Sequence, residues 1–174
     1  MQISQELLKT MFEYKDGELF RKVQVSDKIQ KSASIGYLNK IQNRFILTID
    51  KKKYYRYRLI FLYHHGYLPV IVDHIDRDST NDRIENLREA TMSQNQRNCT
   101  AKKNGTSKYL GVSKSFKRAT KKIYSACITA VKGQGNIYLG YFENEIEAAL
   151  AYNRAAVKYH GEFANLNIIT PYEQ

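Results

Sequence analysis

Val72-Asp73-His74-Ile75-Asp76-Arg77-Asp78, continued by Asn81-Asp82-Arg83-Ile84-Glu85-Asn86-Leu87-Arg88 and then Gln94-Asn95, is the stretch whose reading decides the fold. The short apolar run Val70-Ile71-Val72-Asp73 reads as a strand with His74 at its exit, and Ile75 to Arg83 as a turn-rich polar connection. Ile84 and Leu87 mark a second short strand. Thr91-Met92-Ser93-Gln94 has capping-box spacing, so a helix over about 91–99 is expected to carry Asn95 on its first turns. One histidine, a neighbouring carboxylate and two spaced asparagines can together bind one hard metal ion, activate a water and hold a phosphodiester. His74 is the natural general base, because imidazole titrates near neutral pH. Asp73 offers a hard carboxylate oxygen and Asn95 a neutral amide oxygen, donors that suit Mg²⁺ or Mn²⁺ and leave room for water and phosphate oxygens. Asp76, Asp78 and Asp82 read as turn-forming side chains bonded to nearby backbone. Arg88 reads equally as a phosphate contact or an ordinary surface arginine.

Composition points to the same substrate class. The 174 residues are 43% hydrophobic, within the globular range, and carry a formal charge of +11. A cationic surface of that size predicts a polyanionic partner, nucleic acid ahead of an anionic membrane. From Glu89 to Glu143 no acidic residue intervenes, while Arg97, Lys102, Lys103, Lys108, Lys114, Lys117, Arg118, Lys121, Lys122 and Lys132 all fall there. A solvated face normally mixes both signs, so a one-sign window of this length is better explained by phosphates. There is no apolar run of about 18 residues and no signal-type start, so an intracellular, soluble protein without a membrane partner is expected. Cys99 and Cys127 lack partner spacing, which argues against a disulfide framework and a cysteine-based zinc site.

Upstream, Glu18 to Val23 and Arg44 to Asp50 read as strands, and Tyr57 to Tyr67 as a helix with Leu59, Ile60, Leu62 and Tyr63 as its apolar stripe. Gly66 and Pro69 stop it. His64 and His65 are adjacent, and adjacent helical residues point about 100° apart, so they read as cap or surface residues and not a metal pair.

The strand–loop–strand–helix order with His74, Asn86 and Asn95 resembles the HNH nuclease motif in its His-Asn-Asn form, over about residues 56–99. The resemblance implies a ββα-metal fold in which Asp73 and Asn95 bind one metal, His74 activates water, and Asn86 orients the loop and the histidine. It makes Asp73, His74, Asn86 and Asn95 the expected catalytic set. Such members often carry histidine before the Arg-Leu of the preceding helix; this chain has Tyr57 before Arg58-Leu59, so one supporting contact differs.

Ala101 to Ser107 is a short polar, basic stretch that reads as a linker. Beyond it, Tyr109 to Val112, Tyr124 to Ile128 and Ile137 to Phe142 read as three strands, with Gly133 to Asn136 as the hairpin turn between the last two. Asn144 caps an alanine-rich helix that Gly161 ends. Gly111-Val112, Leu139-Gly140-Tyr141-Phe142, the alanine helix and the closing Asn165-Leu166-Asn167 resemble the APETALA-two (ethylene-response-factor) DNA-binding domain. That family lays its sheet into the major groove. Strand alternation turns Ala126, Ile128, Ile137 and Leu139 inward. It leaves Ser113, Cys127, Thr129, Asn136 and Tyr138 at positions matching the family's base readers. Those readers are largely arginine, tryptophan and glutamate, so DNA contact carries over but sequence preference does not.

These expectations describe an α+β chain with an HNH nuclease module at 1–100, a basic linker at 101–107 and an APETALA-two-like domain at 108–174. That domain is a three-stranded antiparallel sheet packed on one helix. The function they imply is a site-directed, homing-type DNA endonuclease using one Mg²⁺ or Mn²⁺ per active site and no zinc. It would act on double-stranded DNA as a monomer or homodimer, in the cytoplasm of a bacterial or phage-infected host. The alternative is a catalytically inactive, DNA-binding transcription regulator.

Overall fold

Phe12–Lys15 and Glu18–Arg21 fold back on each other because Asp16 and Gly17 both take positive φ, 49° and 86°. That is the two-residue type I′ turn whose twist matches its strands. The chain is described here by a computed structural model covering residues 3–22, 35–98, 105–114, 123–130 and 135–170. Its contacts divide the chain into two units, Met1–Thr91 and Met92–Gln174.

In the first unit α1 (Gln5–Met11) is capped by Ser4, whose hydroxyl accepts from the Leu7 amide at 3.2 Å. The hairpin just described supplies β1 and β2, so the expected strand at Glu18 stops at Arg21, and Val23 lies outside the described residues. A three-stranded antiparallel sheet follows: β3 (Tyr37–Asn39), central β4 (Arg44–Ile49) and β5 (Lys52–Tyr55). α2 (Arg56–His65) begins directly after β5. Leu59, Ile60, Phe61 and Leu62 are all buried on it, so it is an internal helix and not one with a single apolar stripe. Leu8, Phe12, Leu19 and Leu47 complete the core around it. Gly66 closes α2 at φ 79°, and Gln5 Nε2 donates to the Tyr63 carbonyl at 2.9 Å, satisfying one of the last-turn acceptors.

β6 (Ile71–His74) and β7 (Leu87–Ala90) form an antiparallel pair with Asp73 opposite Arg88 and His74 opposite Leu87. His74 is thus the last residue of its strand instead of the first beyond it. Ile84 stands in a 3₁₀ turn (Ile84–Asn86) and not in the strand expected there, and β7 starts only at Leu87.

The second unit opens with α3 (Met92–Arg97), and the 101–107 stretch falls inside it. β8 (Val112–Lys114), β9 (Tyr124–Ile128) and β10 (Ile137–Phe142) form an antiparallel sheet with β9 in the middle. α4 (Glu145–His160) packs on it through buried Ala148, Ala149, Ala155, Ala156 and Tyr152. Alanines there let helix and sheet backbones approach closely. The Asn144 side chain caps α4, accepting from the Ile146 amide at 2.8 Å. The closing Asn165-Leu166-Asn167 has a mechanical role. Asn167 exchanges bonds with Asn153 of α4 at 2.7 and 2.9 Å, and its amide group clasps the Leu110 backbone at 2.6 and 3.0 Å.

Two sequence expectations shift here. The first strand of this sheet starts at Val112 and not at Tyr109. Gly111 takes φ 73° and lies against the Tyr152 ring and the Cys127 carbonyl, so no extended strand runs through it. Ile137 pairs with Ile128 but stays 37% exposed on the edge strand instead of turning inward. A bulge between Tyr138 and Gly140 then resets the alternation, and Leu139 reaches the core. The turn residues Gly133 and Gln134 lie outside the described residues.

A Cβ at Gly111 would fall inside the Tyr152 ring on a backbone already at positive φ. Gly111→Ala should therefore destabilise the second unit by about 2–4 kcal/mol, read as a lowered denaturation midpoint.

Candidate active site around His74

The candidate site begins where β6 ends. Asp73 and His74 are each only 5% exposed, so each must find its partners inside the protein. Asp73 finds Arg88 across the β6–β7 pair: the guanidinium Nε and Nη2 both donate to Asp73 Oδ2 at 2.9 Å. Arg88 is therefore a cross-strand ion-pair partner of Asp73, a contact the sequence reading did not anticipate.

His74 finds Asp82. Its Nε2 lies 2.9 Å from Asp82 Oδ1, and Asp82 Oδ2 accepts from Arg56 Nε at 2.8 Å. Asp82 is 2% exposed and Arg56 4%, so imidazole, carboxylate and guanidinium form one buried chain. Arg56 is in turn held by the Phe45 ring, 3.7 Å from its Cζ, and by Glu18 at 3.8 Å. Asp82 is thus not a turn-former but the partner of the histidine, and Arg56 was not anticipated. Nothing local in the sequence marks either, since they come from the start of α2 and the end of a loop. Tyr57 places its ring 5.0 Å from that of His74, and Arg44 lies over the other partner of this stack, 4.8 Å from the Tyr57 ring. A tyrosine therefore fills the position where the resembled family often has histidine, and its ring meets that of His74 at a 55° tilt.

Asn86 organises the loop between the strands. Its Oδ1 accepts from the Asp76 amide at 3.0 Å, while its Nδ2 donates to Asp76 Oδ1 and the Asn81 carbonyl, both at 2.8 Å. Its own carbonyl takes the Ile75 amide at 2.9 Å, locking the residue after His74. Asp76 and Asp78 behave as turn-formers: Asp76 Oδ1 accepts from the Asp78 amide at 2.8 Å, and Asp78 Oδ1 from the Thr80 amide at 2.9 Å. Burial alone would raise the Asp76 carboxyl, but donors from Asn81, Asn86 and Asp78 outweigh it and hold the group below the ordinary aspartate value. The Thr80 hydroxyl and amide do the same for Asp78. His64 and His65 stay at the end of α2, His64 edge-on to Tyr14 and His65 tilted against Phe61. Burial lowers the His64 pKa below the usual value.

Asp73, His74 and Asn86 are thus gathered on one hairpin, whereas Asn95 is half-buried on α3 in the second unit. Among the described residues no three His, Cys, Asp or Glu side chains are grouped to hold a metal ion. On the hairpin itself, Asp73 beside His74 offers hard carboxylate oxygens. Such oxygen donors fit Mg²⁺ or Mn²⁺ better than zinc.

Of the expected DNA contacts, Lys102, Lys103, Lys117, Arg118, Lys121 and Lys122 lie outside the described residues. Arg97 donates from Nη2 to the Ala130 carbonyl at 2.9 Å, and Lys108 lies 5.0 Å from the Tyr109 ring. Ser113 and Lys114 are exposed on β8. Tyr138, 54% exposed, pairs in register with half-buried Cys127 and meets the Tyr141 ring edge-on at 5.2 Å. The Thr129 hydroxyl bonds the Asn136 side chain at the turn end of the β9–β10 hairpin, just beyond the Ile128–Ile137 pair.

A histidine buried at a strand end, with an asparagine-braced loop and a helix after the second strand, occupies one continuous piece of chain. Residues 54–97 match the HNH endonuclease family. This HNH segment contains Asp73, His74, Asn86 and Asn95, and also Arg56 and Asp82. It supports a nuclease, a hydrolase acting on DNA, over about a quarter of the 174 residues. No curated protein matches the chain. Among the described residues no helix is long and apolar enough to cross a membrane.

Two outcomes follow from the buried groups. Arg56→Met leaves the Asp82 carboxylate with one partner fewer and should cost about 3–5 kcal/mol, measured by urea denaturation. Because Asp76 titrates lower folded than unfolded, its bonds stabilise fully at neutral pH and fade as pH falls below about 4. Asp76→Asn should accordingly destabilise at pH 7 and progressively less towards pH 3. An equal cost at both pH values would show that the charge is not what matters.

Proposed function

We propose that this protein is a divalent-metal-dependent, homing-type DNA endonuclease, with an HNH module that hydrolyses phosphodiesters and a C-terminal sheet domain that anchors it on duplex DNA. The observation that carries the reading is the buried, partnered His74 at the end of β6, inside the segment that matches HNH endonucleases. His74 takes the proton from the attacking water. Asn86 keeps the following loop closed by its bonds to Asp76 and Asn81, so the histidine backbone does not shift as substrate enters. As the HNH resemblance implies, Asp73 and Asn95 would serve as ligands of Mg²⁺ or Mn²⁺, an ion that would supply charge neutralisation at the phosphate.

The anchoring half of the proposal rests on charge and on the sheet. Ser113, Cys127, Thr129, Asn136 and Tyr138 are assigned to the DNA side because the APETALA-two resemblance implies it, and the acid-free window between Glu89 and Glu143 contributes the Lys and Arg along the same stretch of sequence. Lysines of this kind position the protein on phosphates without specifying sequence. The biology the pairing suggests is that of mobile endonucleases of phages and introns, in which a small nuclease is delivered to one site.

Metal-dependent nicking of supercoiled plasmid is the direct test. Wild-type protein should cut with Mg²⁺ or Mn²⁺, and His74→Ala should lose about 100-fold or more of the rate while still binding DNA. Binding without cutting, under either metal and across a randomised duplex library, would replace this reading with the inactive regulator. Lys114→Ala should weaken binding to all sequences alike and lower the salt slope by about one, measured by titration at several salt concentrations.

A further inference from the structure

We infer that Asp82, held by Arg56, is a positioning residue that sets the tautomer of His74, so that Nε2 carries the ring hydrogen and Nδ1 is the atom that accepts the proton from water. The inference rests on the nuclease reading for its catalytic consequence, and on geometry alone for the tautomer.

The geometry is directional at each link. Arg56 Nε is a donor with no acceptor capacity, so the Asp82 Oδ2 facing it at 2.8 Å must accept. A carboxylate offers only lone pairs, so Oδ1 at 2.9 Å from His74 Nε2 also accepts, and the ring hydrogen is placed on Nε2. A neutral imidazole has one hydrogen, which leaves the lone pair on Nδ1. All three groups are buried to at least nineteen parts in twenty, with exposures of 4%, 2% and 5%. Water therefore does not compete for the Nε2–carboxylate–guanidinium bonds, which favour one placement of the ring hydrogen.

Arg56 is what makes the device rigid. Its guanidinium lies on the Phe45 ring of β4 at 3.7 Å, and its Nη2 donates to the Thr80 carbonyl at 3.5 Å, two residues before Asp82. The Tyr57 ring, next in sequence to Arg56, covers one side of His74 at 5.0 Å. Ring plane and hydrogen position are thus set by two consecutive residues of α2 and one loop aspartate.

Asp82→Asn is the informative change, because Arg56 dictates how a carboxamide must sit. The amide oxygen takes the arginine, so the amide nitrogen faces Nε2 and donates to it, forcing the hydrogen to Nδ1. Proton transfer from water to Nδ1 then has no acceptor lone pair. Shape and volume hardly change.

Long-range ¹⁵N–¹H spectra of the full chain at pH 8 test this, with the His74 signal identified by its loss in His74→Gln. Wild-type should show a protonated-type Nε2 and a lone-pair-type Nδ1, and Asp82→Asn should exchange the two. DNA nicking by Asp82→Asn should fall about 100-fold or more in kcat with KM changed less than about threefold. The opposite tautomer in the wild-type spectrum overturns the inference, as does unchanged kcat in Asp82→Asn alongside exchanged tautomers. A wild-type protein that shows the expected tautomer but cuts no DNA under either metal would instead sink the nuclease reading and leave the tautomer assignment standing.

Discussion

A carboxylate at the centre of the first unit decides how the rest of that unit is built. Asp82 is almost sealed from water, and an ionised carboxyl there is tolerable only with full partners on both oxygens. Arg56 and His74 supply them. Each partner recruits further structure: Arg56 draws on the Phe45 ring, Glu18 and the Thr80 carbonyl, and His74 on the Tyr57 ring. Even the β1–β2 turn abuts this region, since a Cβ at Gly17 would come within 2.9 Å of the Arg83 amide. The N-terminal strands, which carry no expected catalytic residue, thereby form the seat in which the histidine is held.

The loop between β6 and β7 follows a different logic. Apart from buried Asp82 it is exposed or half-buried, and the order of its outer part comes from short-range donors that converge on Asp76 and Asn86. A loop satisfied internally in this way keeps its shape without a large apolar core, which suits a segment that must also meet substrate. The turn at Asn43 adds a long-range brace, with Ser79 donating to its carbonyl at 2.6 Å. The two kinds of support divide the work: buried ionic contacts set the histidine, and exposed polar contacts set the chain that leaves it.

Much of this was legible in the sequence where the signal is local. β9 and β10 have the bounds expected from apolar alternation, and Asn144, Gly66 and Gly161 end or start helices for reasons visible within a few residues. Asn86 as a loop organiser was an implication of the HNH resemblance and not of periodicity. What failed did so where two distant segments meet. Gly111 reads as a strand residue until the Tyr152 ring and positive φ interrupt it, and Asp82 reads as a turn aspartate until Arg56 arrives 26 positions upstream. Arg88 was ambiguous because its answer lies across a strand pair, at Asp73.

The sequence by itself determined the bounds of β9 and β10, the glycine stops of α2 and α4 and the acid-free basic window, because periodicity, capping and charge are properties of neighbours along the chain. Only the tertiary structure decided that two of the four clustered aspartates, Asp73 and Asp82, are buried, which arginine each binds and which nitrogen of His74 faces a carboxylate. Those facts depend on desolvation and on the meeting of α2, β4 and the 75–86 loop, and a buried charge finds its partner through space, without regard to separation along the chain.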